Sequence, residues 1–116
     1  MRDFSRGVEH LSINTATVRK QLALPAIIEA CAKHKVAIEI NANPRRLDID
    51  WRWVDYALDK GVMLSINPDA HEISEYANCR YGVLAGQKGG LTKKSNLSSF
   101  SLKEFETYLG SVSSQP

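Results

Sequence analysis

Apolar and polar positions alternate strictly in two stretches of the chain. Val36, Ile38 and Ile40 interleave with Ala37, Glu39 and Asn41, and Val62, Leu64 and Ile66 interleave with Met63, Ser65 and Asn67. A period of two marks a strand with unlike faces, so 36–41 and 62–67 are expected to be strands. Around them the period lengthens. Over 25–35, Ile27, Ile28, Cys31 and Ala32 form one stripe, Glu29 and Lys33 make an i,i+4 pair, and His34 sits in the last turn, where it complements the helix dipole. Over 51–60, Trp51, Val54, Ala57 and Leu58 form a second stripe, with Asp50 placed to cap it and Gly61 to end it. A short helix is expected over 15–23, capped by Asn14 or Thr15. Leu24 precedes Pro25 and is biased away from the helical region, which predicts a break there. Helix, strand, helix, strand with short connections argues for parallel strands in an α/β layer architecture.

The remainder is less regular. Residues 1–14 carry Gly7, Ser12, Asn14 and scattered charges and read as a loop or arm. Residues 72–76 read as a short turn or helix. Over 81–85 a strand competes with a helix in which Tyr76, Cys79, Val83 and Leu84 share a face; Gly89-Gly90 makes a good helix stop, and the helix is preferred. Thr92 is expected to cap a short helix over 93–97. Ser101-Leu102-Lys103-Glu104 is a capping box opening a last amphipathic helix with Leu102, Phe105 and Leu109 on one face, stopped by Gly110. Residues 111–116 are expected to be a disordered polar tail. No internal repeat is present.

Composition narrows the class. A chain of 116 residues, 43% hydrophobic and 24% charged, is expected to form one soluble domain with a modest core. A net charge of +2 does not by itself argue for nucleic acid. No apolar run approaches the roughly 18 residues of a membrane span, and the N-terminus lacks the apolar core of a secretory signal. Cys31 and Cys79 have no metal-type spacing. Cys31 falls on a helical apolar face as a buried free thiol, and a reducing, cytoplasmic setting is expected.

Candidate chemistry concentrates after the strands. Asp69 and His71 follow the second strand at its carboxyl edge, where α/β sheets and barrels place ligand sites. A carboxylate and an imidazole two residues apart suit one divalent ion. The competing reading makes Asp69 a helix cap with His71 in the first turn. If the strands are parallel neighbours, Glu39, Asn41, Ser65 and Asn67 face one side, as in a barrel with a polar mouth. Asn43, Arg45 and Arg46 follow the first strand, and the arginines read either as phosphate holders or as solvated loop charges. His10 and His34 read as packed or solvated side chains.

Four segments then acquire a further meaning together. Glu39-Ile40-Asn41-Ala42-Asn43-Pro44-x-Arg46-Leu47-Asp48, Ser65-Ile66-Asn67-Pro68-Asp69-Ala70-His71, Arg80-Tyr81-Gly82-Val83 and Lys88-Gly89-Gly90-Leu91-Thr92-Lys93 occur in an order that resembles the PHP (polymerase and histidinol phosphatase) family. The resemblance is greatest to the PHP domain at the carboxyl end of bacterial family X DNA polymerases. It covers residues 25–110, leaving 1–24 unassigned and 111–116 as the tail. It implies a partial β/α-barrel, the C-terminal βα units of a distorted seven-stranded barrel. It also implies metal-dependent phosphoester hydrolysis, with 3′–5′ exonuclease and DNA end-processing activity, and a divalent metal, zinc or manganese. In that family the ions lower the pKa of a bridging water and neutralise charge on the attacked phosphate. Asp69 and His71 map onto two metal ligands. Asn41, Asn43 and Arg46 match family positions without an assigned ligand role; Glu39, Asn41 and Asn67 are expected to line the site, and Asn43, Arg45 and Arg46 to approach phosphate.

The departure from the family is as informative. With three histidines and no His-x-His, this chain lacks the N-terminal ligands of such a site. Two ligands do not hold a catalytic cluster, so hydrolysis is not expected from the chain alone. The alternatives are a non-catalytic, PHP-derived assembly or binding module, and a nucleic-acid binder using Arg45, Arg46, Lys88, Lys93 and Lys94. Strands cut from a barrel leave unpaired edges and exposed apolar surface. A homo-oligomer, or docking on the missing part of the PHP domain, is therefore expected, with DNA a partner through the parent protein and no membrane partner.

Overall fold

Two parallel strands, β1 (Ile38–Asn41) and β2 (Leu64–Asn67), lie side by side in the computed structural model, which describes residues 17–113 and the side chains from residue 23 onward. The arm expected over 1–14, and residues 114–116, lie outside the described residues. The register pairs Ile38 with Leu64, Glu39 with Ser65, Ile40 with Ile66 and Asn41 with Asn67. Like therefore meets like across the ladder. Ile38, Ile40, Leu64 and Ile66 are buried in one core with Ile28, Val54 and Ala57. The architecture is mixed α/β, with α1 (Thr17–His34), α2 (Val54–Asp59), α3 (Cys79–Lys88) and α4 (Leu102–Ser113) around this small sheet. No helix among the described residues is long and apolar enough to cross a membrane.

Both strands begin two residues later than the alternation predicts, for one reason. The preceding helix ends capture the missing residues. Gly61 (φ +82°) follows α2, and the Gly61 and Val62 N–H groups donate to the carbonyls of Leu58 and Ala57, a Schellman closure. Lys35 (φ +58°) does the same after α1, where the Val36 N–H donates to the Cys31 carbonyl.

Pro25 does not break the chain into two helices: α1 runs through it. Leu24 and Ile28, one turn apart, are both buried, so a single buried face spans the proline. In the second unit, Asp50 accepts the Arg52 N–H and caps a 3₁₀ turn over Trp51–Trp53 before α2. Trp51 stays largely outside the core, with the Lys88 ammonium 4.5 Å from its ring centre, while Val54 and Ala57 carry the burial. Cys31 and Cys79 are both half-buried, so Cys31 is less enclosed than its apolar helical face predicts.

The expected apolar face of the third helix is reversed. After 3₁₀ turns over Ile73–Asn78, α3 lays Gly82 and Gly86 on the core and leaves Val83, Leu84 and Tyr76 exposed. A Cβ on Gly82 would stand 2.5 Å from Ile66 Cγ2 and 2.8 Å from Ala42 Cβ. The glycines let the helix approach the sheet too closely for any side chain to intervene. Thr92 makes no side-chain cap, and 93–97 is not a helix; 3₁₀ turns occupy Lys93–Ser95 and Leu97–Ser99, the second capped by Asn96 Oδ1. The Ser101–Glu104 capping box forms as expected. Gly110 does not end α4, which continues to Ser113 and takes in half of the expected tail.

The sheet edges differ most from expectation. Each is met by a loop of the same chain. Beside β1, the Asn41 N–H donates to the Asp48 carbonyl (2.6 Å) and the Ile49 N–H to the Glu39 carbonyl (3.4 Å). Beside β2, Ser98 Oγ bonds both backbone groups of Ile66, and Asn96 bridges Leu64. Apolar surface does remain open, with Ile73 87%, Tyr76 65% and Leu84 61% exposed.

Candidate functional site

Parallel pairing in this register puts the polar residues of both strands on one face, as their sequence parity requires. They are joined there by hydrogen bonds. Asn67 Nδ2 donates to Glu39 Oε1 (2.8 Å) across the strands, and the Ser65 hydroxyl donates to Asn67 Oδ1 (3.1 Å). Ser65 Oγ lies 3.3 Å from Ser98 Oγ. Glu39, a carboxylate in a short apolar strand, thus has its partner in Asn67. The bond fixes the Asn67 amide at the carboxyl end of β2.

Asn41, opposite Asn67, is fully buried. Its Oδ1 accepts the Asn43 N–H (3.0 Å), which fixes the orientation of the amide, while its Nδ2 is buried without an acceptor among the described residues. An orphan buried donor costs about 1–3 kcal/mol. Asn43 in turn folds the loop: its Oδ1 accepts the Arg45 N–H (3.0 Å) and its carbonyl accepts the Arg46 and Leu47 N–H groups. Arg46 forks onto Asp48, with Nε 3.3 Å from Oδ1 and Nη2 3.5 Å from Oδ2. Of the three residues expected to approach phosphate, Asn43 and Arg46 therefore shape the loop, and Arg45 extends from it, exposed.

At the end of β2, Pro68 withholds an N–H from the ladder and Asp69 adopts φ +54°, a left-handed turn that aspartate tolerates better than most residues. The turn brings the Asp69 carbonyl within 2.8 Å of His71 Nδ1. A carbonyl only accepts, so Nδ1 carries a proton in this bond, and in the neutral ring the lone pair is then on Nε2, the arrangement typical of a metal-binding histidine. Glu75 Oε2 accepts the His71 N–H (2.8 Å) and braces the same turn. Asp69 caps no helix, because the following 3₁₀ turns begin at Ile73 after Glu72.

Among the described residues, no group of three or more His, Cys, Asp or Glu side chains gathers in a way that could hold a metal ion. The carboxylates held below their ordinary range are elsewhere. Asp50 is lowered first by its side-chain bond to Arg52, and Glu104 by the Ser101 N–H; both cap helices.

Sequence reasoning missed Ser98 and Asp48, the residues that close the sheet edges. Nothing in the local pattern separates Ser98 from Ser95 or Ser99, and Asp48 bonds the strand through its carbonyl, which every residue has.

No protein-family model matches the chain. The chain is 38% identical over 89 residues, 77% of its length, to the DNA polymerase/3′-5′ exonuclease PolX of Bacillus subtilis (strain 168). The match spans 16% of that protein, so the similarity is to a small part of a much longer family X polymerase/exonuclease.

Proposed function

We propose that the chain is the C-terminal segment of a PHP-type metal-dependent phosphoesterase domain that processes DNA ends, with its metal site incomplete in these residues. The observation that carries the reading is the Asp69–His71 turn. It stands at the carboxyl end of β2 and holds His71 with Nε2 available, beside a polar strand face built from Glu39, Ser65 and Asn67. The likeness to part of a 3′-5′ exonuclease supports it. In this reading the two strands are βα units of a larger barrel in a cytoplasmic DNA-processing protein. The remaining ligands to zinc or manganese come from the rest of the domain or from a second copy of the chain. The exposed Ile73, Tyr76 and Leu84 are the surface on which that addition would pack.

A second reading, a non-catalytic module for assembly or binding, draws on the described residues placing no group of three or more His, Cys, Asp or Glu side chains so as to hold a metal ion. Titration of the purified chain with Zn²⁺ and Mn²⁺, alongside an Asp69→Ala, His71→Ala double variant and with mass measured in parallel, separates the two. Metal binding that is lost in the double variant and accompanied by association supports the phosphoesterase segment. Identical weak binding by both proteins supports the module.

A further inference from the structure

On the polar side of β2 the chain holds a groove of ≈ 370 Å³. Leu97, Phe100, Leu102 and Phe105 supply apolar and aromatic walls, and Ser65 and Asn67 a polar edge. We propose that this groove receives one unstacked nucleobase at the end of a nucleic-acid strand. The inference rests on the DNA-processing reading above and names a subsite for it.

Three features select this occupant. The volume lies near the lower end of the roughly 300–1,000 Å³ of small-ligand pockets, room for one planar group and too little for a duplex. The lining carries no charged side chain, so it suits a neutral ring rather than a phosphate. Asn67 gives one N–H to Glu39 and accepts from Ser65, which leaves its second N–H for an acceptor on a base edge. Asn67 is also two residues from Asp69, so a base in the groove lies along the strand end that leads to the Asp69–His71 turn.

The charges nearby complement the same ligand. Lys93 and Lys94 are exposed, sit in the turn that leads into the groove wall at Leu97, and form no ion pair among the described residues. Of the other cations considered for nucleic acid, Arg46 is held by Asp48, Lys88 lies over Trp51, and Arg45 is exposed on the loop after β1. The phosphates of a single strand are assigned to Lys93 and Lys94, which stand on the segment that forms the groove wall, and its terminal base to the groove.

The test uses the full chain in EDTA with two labelled single-stranded oligonucleotides, identical except that one ends in an abasic 3′ residue. Fluorescence anisotropy is expected to show at least about 5-fold tighter binding of the strand with the base, the lower end of what base–aromatic stacking contributes. Leu102→Glu, at a lip position that is 75% exposed and so harmless to the fold, is expected to remove that preference. Lys93→Ala, Lys94→Ala is expected to weaken both strands alike and flatten the salt dependence. Equal binding of the two strands by the unaltered chain, or a preference that survives Leu102→Glu, overturns the groove assignment. Because no metal is present, this outcome is independent of the metal titration. A base preference without Asp69- and His71-dependent metal binding would leave the groove standing while the phosphoesterase reading fell.

Discussion

Ser98 Oγ accepts the Ile66 N–H at 2.9 Å and donates to the Ile66 carbonyl at 2.8 Å. One hydroxyl thus serves both backbone groups that β2 would offer to a neighbouring strand. Ser98→Ala leaves these groups unpartnered, so a loss of about 1–3 kcal/mol is expected in urea denaturation. The bared edge should also raise self-association, read by sedimentation.

The space around two helical glycines predicts opposite results for their substitution. Gly82→Ala must push against Ile66 and Ala42, and a loss of about 1–3 kcal/mol is expected. Gly110→Ala, inside α4 with nothing within 4 Å of the added carbon, is expected to gain up to about 1 kcal/mol. Thermal melts of the two variants check the contrast.

The Glu39–Asn67 bond predicts a destabilised variant. Asn67→Asp replaces a donor with a second carboxylate beside Glu39, at a cost on the order of 1–3 kcal/mol at pH 7. Urea midpoints of the variant and the natural chain decide it.

The Asp69 turn can be separated from the Asp69 carboxylate. Glycine adopts φ +54° without strain, so Asp69→Gly should leave stability within about 0.5 kcal/mol while removing any metal binding that depends on the side chain. Asp69→Val should lose stability as well, because a β-branched residue resists this conformation.

Glu104 accepts the Ser101 N–H, and this bond holds its carboxyl below the ordinary range. The sign follows directly. The cap contributes fully above the ordinary glutamate value and is lost as pH falls through the lowered folded value. Far-UV circular dichroism should therefore show helix loss on acidification below about pH 4.5. Glu104→Gln should flatten that step.

The strand pattern was readable in the sequence. Strict alternation in 36–41 and 62–67 identified the strands, and put Glu39, Asn41, Ser65 and Asn67 on one side once the strands were taken as parallel neighbours; the register that pairs Glu39 with Ser65 and Asn41 with Asn67 came from the structure. The capping residues Asp50, Gly61 and Ser101 act where their side chains or φ freedom predict, because caps are local.

What the sequence determined by itself is the set of relationships decided within a few residues: strand faces, caps, and the placement of Asp-x-His at a strand end. The tertiary structure decided the rest. Pro25 lies within a helix because burial of Leu24 and Ile28 outweighs its local preference, and α3 turns Gly82 inward because only a hydrogen side chain fits against Ile66 and Ala42. The sheet edges are closed by Ser98 and Asp48, brought there by loops whose local patterns do not mark them. These outcomes depend on distances between segments remote in sequence, which hydrophobic period and capping chemistry do not encode.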